Sequence, residues 1–187
     1  MAPPKPPKET AFIPFLCNIE APWSTTLVRA IHSELGSGAE AIYLAFSSGG
    51  GASAEGHAVA AQLRALGAPL WMHNLSHVQS AAVLVYMAGD VRLAAPTAEF
   101  SFHRVGSVCN QGEWLDAGRI PALLDKWAAA ERRYADYLAS RGLTGDIIDW
   151  MHSERTMTAQ EALAEGLVQE IRGFTLPRDG RPPVYIF

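Results

Sequence analysis

Apolar and polar positions switch between two periods along this chain, and the switches mark out a series of short strands and helices. AFIPFLCNI (11–19) is almost unbroken apolar sequence and predicts a buried strand, with Pro14 placing it at a sheet edge or ending it early. After Ser24, the residues Leu27, Ile31 and Leu35 recur at four-residue spacing, which predicts one face of a helix closed by Gly36 and Gly38. AEAIYLAFS (39–47) is again continuously apolar, as in a strand covered on both faces. A glycine-rich turn, SSGGGASAEG (47–56), precedes an amphipathic helix from Glu55 to Leu66. PLWMHN (69–74) predicts a third strand, and SAAVLVYMAGD (80–90) a buried helix closed by Gly89.

Two short extended pieces follow, around Val91–Ala94 and Glu99–His103. Helical periodicity then dominates from about Glu113 to Leu143, with expected interruptions near Gly118 and Pro121. Thr158 and Glu161 have the spacing of a capping box, and LVQEI (167–171) predicts a closing strand. Strands alternating with helices imply parallel βαβ units and a layered α/β domain. The expected organisation is a Pro-rich, poorly ordered tail over 1–10 and a single domain over 11–187.

Composition narrows the function classes. A formal charge of −4 and a pI near 5.8 give no reason to expect a nucleic acid or an acidic membrane surface as partner. No apolar run approaches the roughly 20 residues that span a bilayer. The opening lysines lack the apolar stretch of a secretory signal, which points to the cytoplasm. Cys17 and Cys109 match no metal spacing and are expected as free thiols in a reducing compartment.

Three features have chemical potential. Ser47-Ser48-Gly49-Gly50-Gly51, between strand and helix, presents backbone N–H groups suited to a phosphate or an oxyanion; it is also a plain tight turn. Ser80 stands where a loop becomes a buried helix, a position for a nucleophile and equally for an N-cap. His103 ends an alternating extended piece among aromatic neighbours and reads as a base or as a core histidine. His73 and His77 straddle a strand end without a third ligand, so no metal is expected. His32 and His57 read as surface residues of their helices.

Taken together, in this order and spacing, these features resemble the Clp proteolytic-subunit family. The likeness is carried by FSSGGGASAEG, by HVQSAAVLVYMAGDVRLAAPTAEFSFHR, and by TMTAQEALAEGLVQEI, and it runs from about Phe12 to Ile171. The His-Asn pair before the serine loop is similar to that of the divergent Clp-fold serine proteinases. The resemblance implies a Clp/crotonase-like spiral of ββα units, a parallel sheet core with outer helices, and a helical handle supplied between Glu113 and Leu143. It implies a homo-oligomeric ring acting on peptide or unfolded protein, with an ATP-dependent unfoldase as a potential partner and no cofactor. This chain itself has no nucleotide motif.

The family's roles fall on Ser80 as nucleophile and His103 as general base, with an oxyanion hole from the N–H groups of Ala81 and of Gly50 or Gly51. Gly49 replaces the family's proline, and Ala81-Ala82 its Met-Gly. The triad acid departs further. Spacing back from Thr158 places Trp150 at its position, and spacing forward from His103 places His152 there. Asp149 is the nearest carboxylate and is the expected acid, ahead of Glu154 and Asp146. Two other readings follow: a degenerate Clp-like structural or regulatory subunit, favoured by the displaced acid, and a crotonase-type acyl-CoA hydratase or hydrolase. Against the latter, the loop before the serine helix offers no carboxylate until Asp90.

Overall fold

The computed structural model describes residues 3–107, 116–176 and 181–186. Cys109 and Glu113 lie outside the described residues. Residues 3–9 have no regular hydrogen-bonded structure, and the first strand, β1 (Thr10–Phe15), begins with a fully buried Thr10. It is followed by α1 (Trp23–Gly36), β2 (Ala41–Ser48), α2 (Ser53–Arg64), β3 (Leu70–Gln79), α3 (Ala81–Tyr86), β4 (Val91–Ala94) and β5 (Glu99–Ser101). The remainder is α4 (Arg119–Ser140), α5 (Ile147–His152), β6 (Thr156–Thr158), α6 (Ala159–Ala164) and β7 (Glu170–Ile171).

The main sheet runs β1-β2-β3-β4-β7 with every pair parallel. β1 is its edge strand, which accommodates Pro14: its missing N–H removes nothing from the single ladder with β2. Every residue of β2 is buried, as its unbroken apolar run requires. On one face Ile13, Leu44, Phe46 and Met72 join residues of all six helices in the main core. On the other, Phe12, Tyr43, Trp71 and Leu93 form a smaller cluster closed by Phe174.

β3 departs most from the expectation of a strand ending at Asn74. It continues to Gln79, and its ladder with β2 shifts register between Phe46 and Ser48. Its first half pairs with β4 at Trp71–Asn74, and its last three residues pair in parallel with β5 at His77, Val78 and Gln79. The gap between β4 and β5 is bridged by the fully buried Asn74. Its amide donates to the Glu99 carbonyl at 2.8 Å, its Oδ1 accepts from the Ser76 N–H at 3.1 Å, and its own carbonyl accepts from the Ala95 N–H at 2.8 Å. A polar residue in an apolar strand therefore covers the backbone groups that a change of neighbour leaves open. β6 completes this second arm, antiparallel to β5.

α4 also differs from the reading of its sequence. Gly118 is its N-cap and Pro121 falls within its first turn, where a missing N–H costs no helical bond; the two residues start the helix rather than interrupt it. Its buried residues are Ala130, Glu131, Tyr134 and Leu138, all in the second half, whereas Ile120 and Leu124 near its start are exposed. The Thr158 capping box forms as predicted. Among the described residues no helix is long and apolar enough to cross a membrane.

Candidate active site

The local sequence around Ser80 dictates an unusual backbone. Ser80 precedes α3, all six residues of which are buried, so the chain must turn sharply from β3 into the core. It does so with Ser80 at φ 53° and ψ −129°, a conformation that costs a non-glycine residue about 1–3 kcal/mol. The surroundings over-determine it. The Ser80 N–H donates to the Ser101 carbonyl at 3.0 Å, and the Ser80 carbonyl accepts from the Val83 N–H and from the Tyr134 hydroxyl, each at 3.0 Å. Burial also drives the Tyr134 phenol well above its ordinary pKa, which keeps it a donor. Ser80 occupies the N-cap position of α3, but its side chain makes no capping bond to the helix.

The glycine turn packs directly on this corner. Gly50 has φ +97°, and a Cβ there would lie 2.8 Å from both the Gln79 carbonyl oxygen and Ser80 Cβ. One turn into α2, a Cβ on Gly56 would lie 2.8 Å from the Ala81 carbonyl oxygen. Glycine at both positions lets the turn and α2 close on the serine. The Gly50 N–H is directed to Ser48 Oγ at 3.2 Å, while Gly51 lines the cleft above Ser80. Ala81, as the first residue of α3, contributes an N–H that no earlier helical carbonyl can accept.

His103 reaches the same cleft because β5 runs beside the end of β3. The cleft, about 230 Å³, is lined by Ser80, Ala81, Gly51, His103, Tyr134 and Met151 among others. The imidazole is exposed, and its Nδ1 is 2.8 Å from the Arg104 carbonyl oxygen. A carbonyl only accepts, so Nδ1 carries the proton, and Nε2 of the neutral ring keeps a free lone pair.

The expected acid is not brought to this histidine. The Asp149 N–H donates to Asp146 Oδ1 at 2.9 Å at the start of α5, and its carboxylate is exposed with no partner among the described residues. Asp146 is spent on that cap. Trp150, at the first spacing-derived position, is buried edge-to-face on Phe102 with Arg155 over its ring. His152, at the second, is 3.0 Å from Glu131 Oε2. Glu131 is a residue that sequence reasoning missed. The available signal was a carboxylate bordering the apolar Ala130, Tyr134 and Leu138 stripe of a helix.

The other histidines separate as well. His73 is fully buried between the Tyr43 hydroxyl (2.7 Å) and the Arg172 carbonyl (3.0 Å), and burial lowers its pKa to about 4. His57 is not a plain surface residue: half-buried, it packs edge-to-face on Tyr137, and burial, aided by Arg133, lowers its pKa. No cluster suited to a metal occurs among the described residues.

A strained serine at the start of a buried helix, a glycine turn against it and a histidine across the cleft define a hydrolase-like corner on a spiral α/β sheet. The family model for Clp protease matches residues 18–173, and the chain belongs to that family. A solved structure of a ClpP1 point mutant from Listeria monocytogenes superposes with a TM-score of 0.74 at 16% identity, over 89% of this chain and 92% of that one. At that identity the likeness speaks for the fold. No curated protein sequence matches the chain.

Proposed function

We propose that this protein is a serine endopeptidase that cuts peptide bonds through an acyl-enzyme on Ser80, with His103 as general base. The observation that carries the reading is the strained, doubly pinned backbone of Ser80 in a cleft shared with an Nδ1-protonated His103. In the reaction, His103 Nε2 takes the Ser80 hydroxyl proton as Oγ attacks the peptide carbonyl. Negative charge developing on the carbonyl oxygen falls between the N–H groups of Ala81 and Gly51, the Gly50 N–H being engaged by Ser48. The imidazolium returns its proton to the leaving amine, and water then releases the acyl group by the reverse sequence.

The substrate class is peptide or unfolded protein. A second hollow of about 370 Å³ shares Ser53, Val105 and Gly106 with the cleft and is lined further by His57, Lys126, Trp127 and Arg133. Its place beside the cleft suits a substrate side chain next to the scissile bond. By family analogy the working form is a homo-oligomeric ring in the cytoplasm, with any ATP dependence supplied by a separate unfoldase.

The test is reaction of the assembled protein with a fluorescent fluorophosphonate, beside Ser80→Ala, with the labelled residue identified by mass spectrometry. Labelling at Ser80 that is lost in the variant is the expected result; no labelling of the intact assembly would sink the proposal. That outcome would favour a catalytically silent subunit, a reading supported by the lack of a hydrogen bond between Asp149 and His103 among the described residues. Acyl-CoA hydration is disfavoured because no carboxylate lines the cleft among the described residues.

A further inference from the structure

Glu131 is a carboxylate buried to 8% exposure, and both of its oxygens are engaged. Oε2 is 3.0 Å from His152 Nε2, and Oε1 accepts the Val105 N–H at 3.1 Å. That N–H belongs to the same peptide unit as the Arg104 carbonyl, which accepts the His103 Nδ1–H at 2.8 Å. A continuous line of hydrogen bonds thus runs from imidazole, through one peptide group, to a buried carboxylate. An anion drawing on a peptide N–H increases the negative charge on that peptide's oxygen, so adjacent bonds strengthen one another.

We propose that Glu131 is a positioning residue for His103: through the Arg104–Val105 peptide it holds the ring in its Nδ1–H form and favours the cation that forms when Ser80 loses its proton. The inference rests on the reading of Ser80 and His103 as nucleophile and base. It gives this chain a carboxylate in the role expected of Asp149, which makes no hydrogen bond to His103. It also explains why the histidine at an expected acid position, His152, is occupied with Glu131. The other ionisable groups at the cleft are Arg104, on the same segment, and Tyr134, whose hydroxyl is bound to Ser80.

Glu131→Gln separates this role from a purely structural clamp. The amide oxygen still accepts from Val105, and its NH₂ donates to His152 Nε2 once that ring takes the Nδ1–H tautomer, so packing is kept while the charge is removed. Three readouts are needed: the thermal midpoint, the rate of fluorophosphonate labelling at Ser80 in the assembled protein, and ¹⁵N–¹H spectra of the His103 ring. The expected result is a near-unchanged midpoint, labelling slowed about tenfold or more, and a loss of the Nδ1–H form. Unchanged labelling together with an unchanged ring spectrum would overturn the role. So would a wild-type ring protonated at Nε2, which needs no variant. Absent labelling in the wild type, with an Nδ1–H form that Glu131→Gln erases, would overturn the peptidase reading and leave the positioning role standing.

Discussion

Gln79 of β3 stands opposite Ser101 of β5 in a parallel register, and that pairing assembles the candidate site. One residue beyond Gln79 is Ser80, the proposed nucleophile; two beyond Ser101 is His103, the proposed base. The pair is further locked by the bond from the Ser80 N–H to the Ser101 carbonyl, so the sequence separation of the two residues is converted to proximity by backbone alone. His103→Ala should therefore leave the fold intact and slow labelling of Ser80 by about a thousandfold or more. Circular dichroism and the labelling rate, taken together, check this; labelling at the wild-type rate would remove His103 from the mechanism.

Gly50→Ala tests the contact between the glycine turn and the serine corner. A Cβ at 2.8 Å from Ser80 Cβ, on a residue at φ +97°, should destabilise the protein by about 1–3 kcal/mol and displace the nucleophile. Chemical denaturation measures the first effect, and labelling of the fraction still folded measures the second.

Asp149→Asn should change little. Its carboxylate is exposed and lies outside any hydrogen bond to His103, so labelling within about twofold of wild type is expected, as for surface substitutions in general. A loss comparable to that of His103→Ala would show that Asp149 swings onto the histidine during the reaction.

The buried His73 makes stability depend on acidity. Its folded pKa, about 4, lies below the unfolded value near 6.5, so the folded state binds the proton less well. The associated stability is complete above about pH 6.5 and is lost progressively as the pH falls to about 4, amounting to roughly 3 kcal/mol. Denaturation midpoints measured across that window should fall, and His73→Gln should flatten that part of the profile.

Lys126 and Arg133 have no ion-pair partner among the described residues and border the hollow beside the cleft. Peptides with Asp or Glu next to the scissile bond should be preferred over their amides. Exchanging both cations for Glu should reverse that preference by about three- to tenfold in kcat/KM. A peptide library read by mass spectrometry is sufficient to decide it.

The sequence made the order of elements legible because most are defined by periodicity over their own length: β2, α1 and the Thr158 capping box depend on neighbours within a few residues. The course of β3 past Asn74 was not legible, since LSHVQ is too polar to read as a strand and becomes one through pairing with β5 and with Ser48 of β2. Ser80 and His103 were recoverable from spacing and resemblance. Glu131 was not, because its part depends on a peptide group 26 residues away in sequence and on a packing of α4 that no local pattern encodes.

The two halves of the site are anchored very differently. The side chains of α3 are all buried, so its hydrogen-bonded amides from Val83 onward should exchange only when the whole domain opens, the Ala81 N–H at the cleft being the exception. His103 and Arg104, by contrast, sit on an exposed strap joined to the body through few bonds. Anything that presses on that strap, or on the outer end of α4 behind it, can quench reactivity while the serine stays where it is. Control of this protein would thus be exerted through the histidine, and an inactive form would be almost superimposable on the active one.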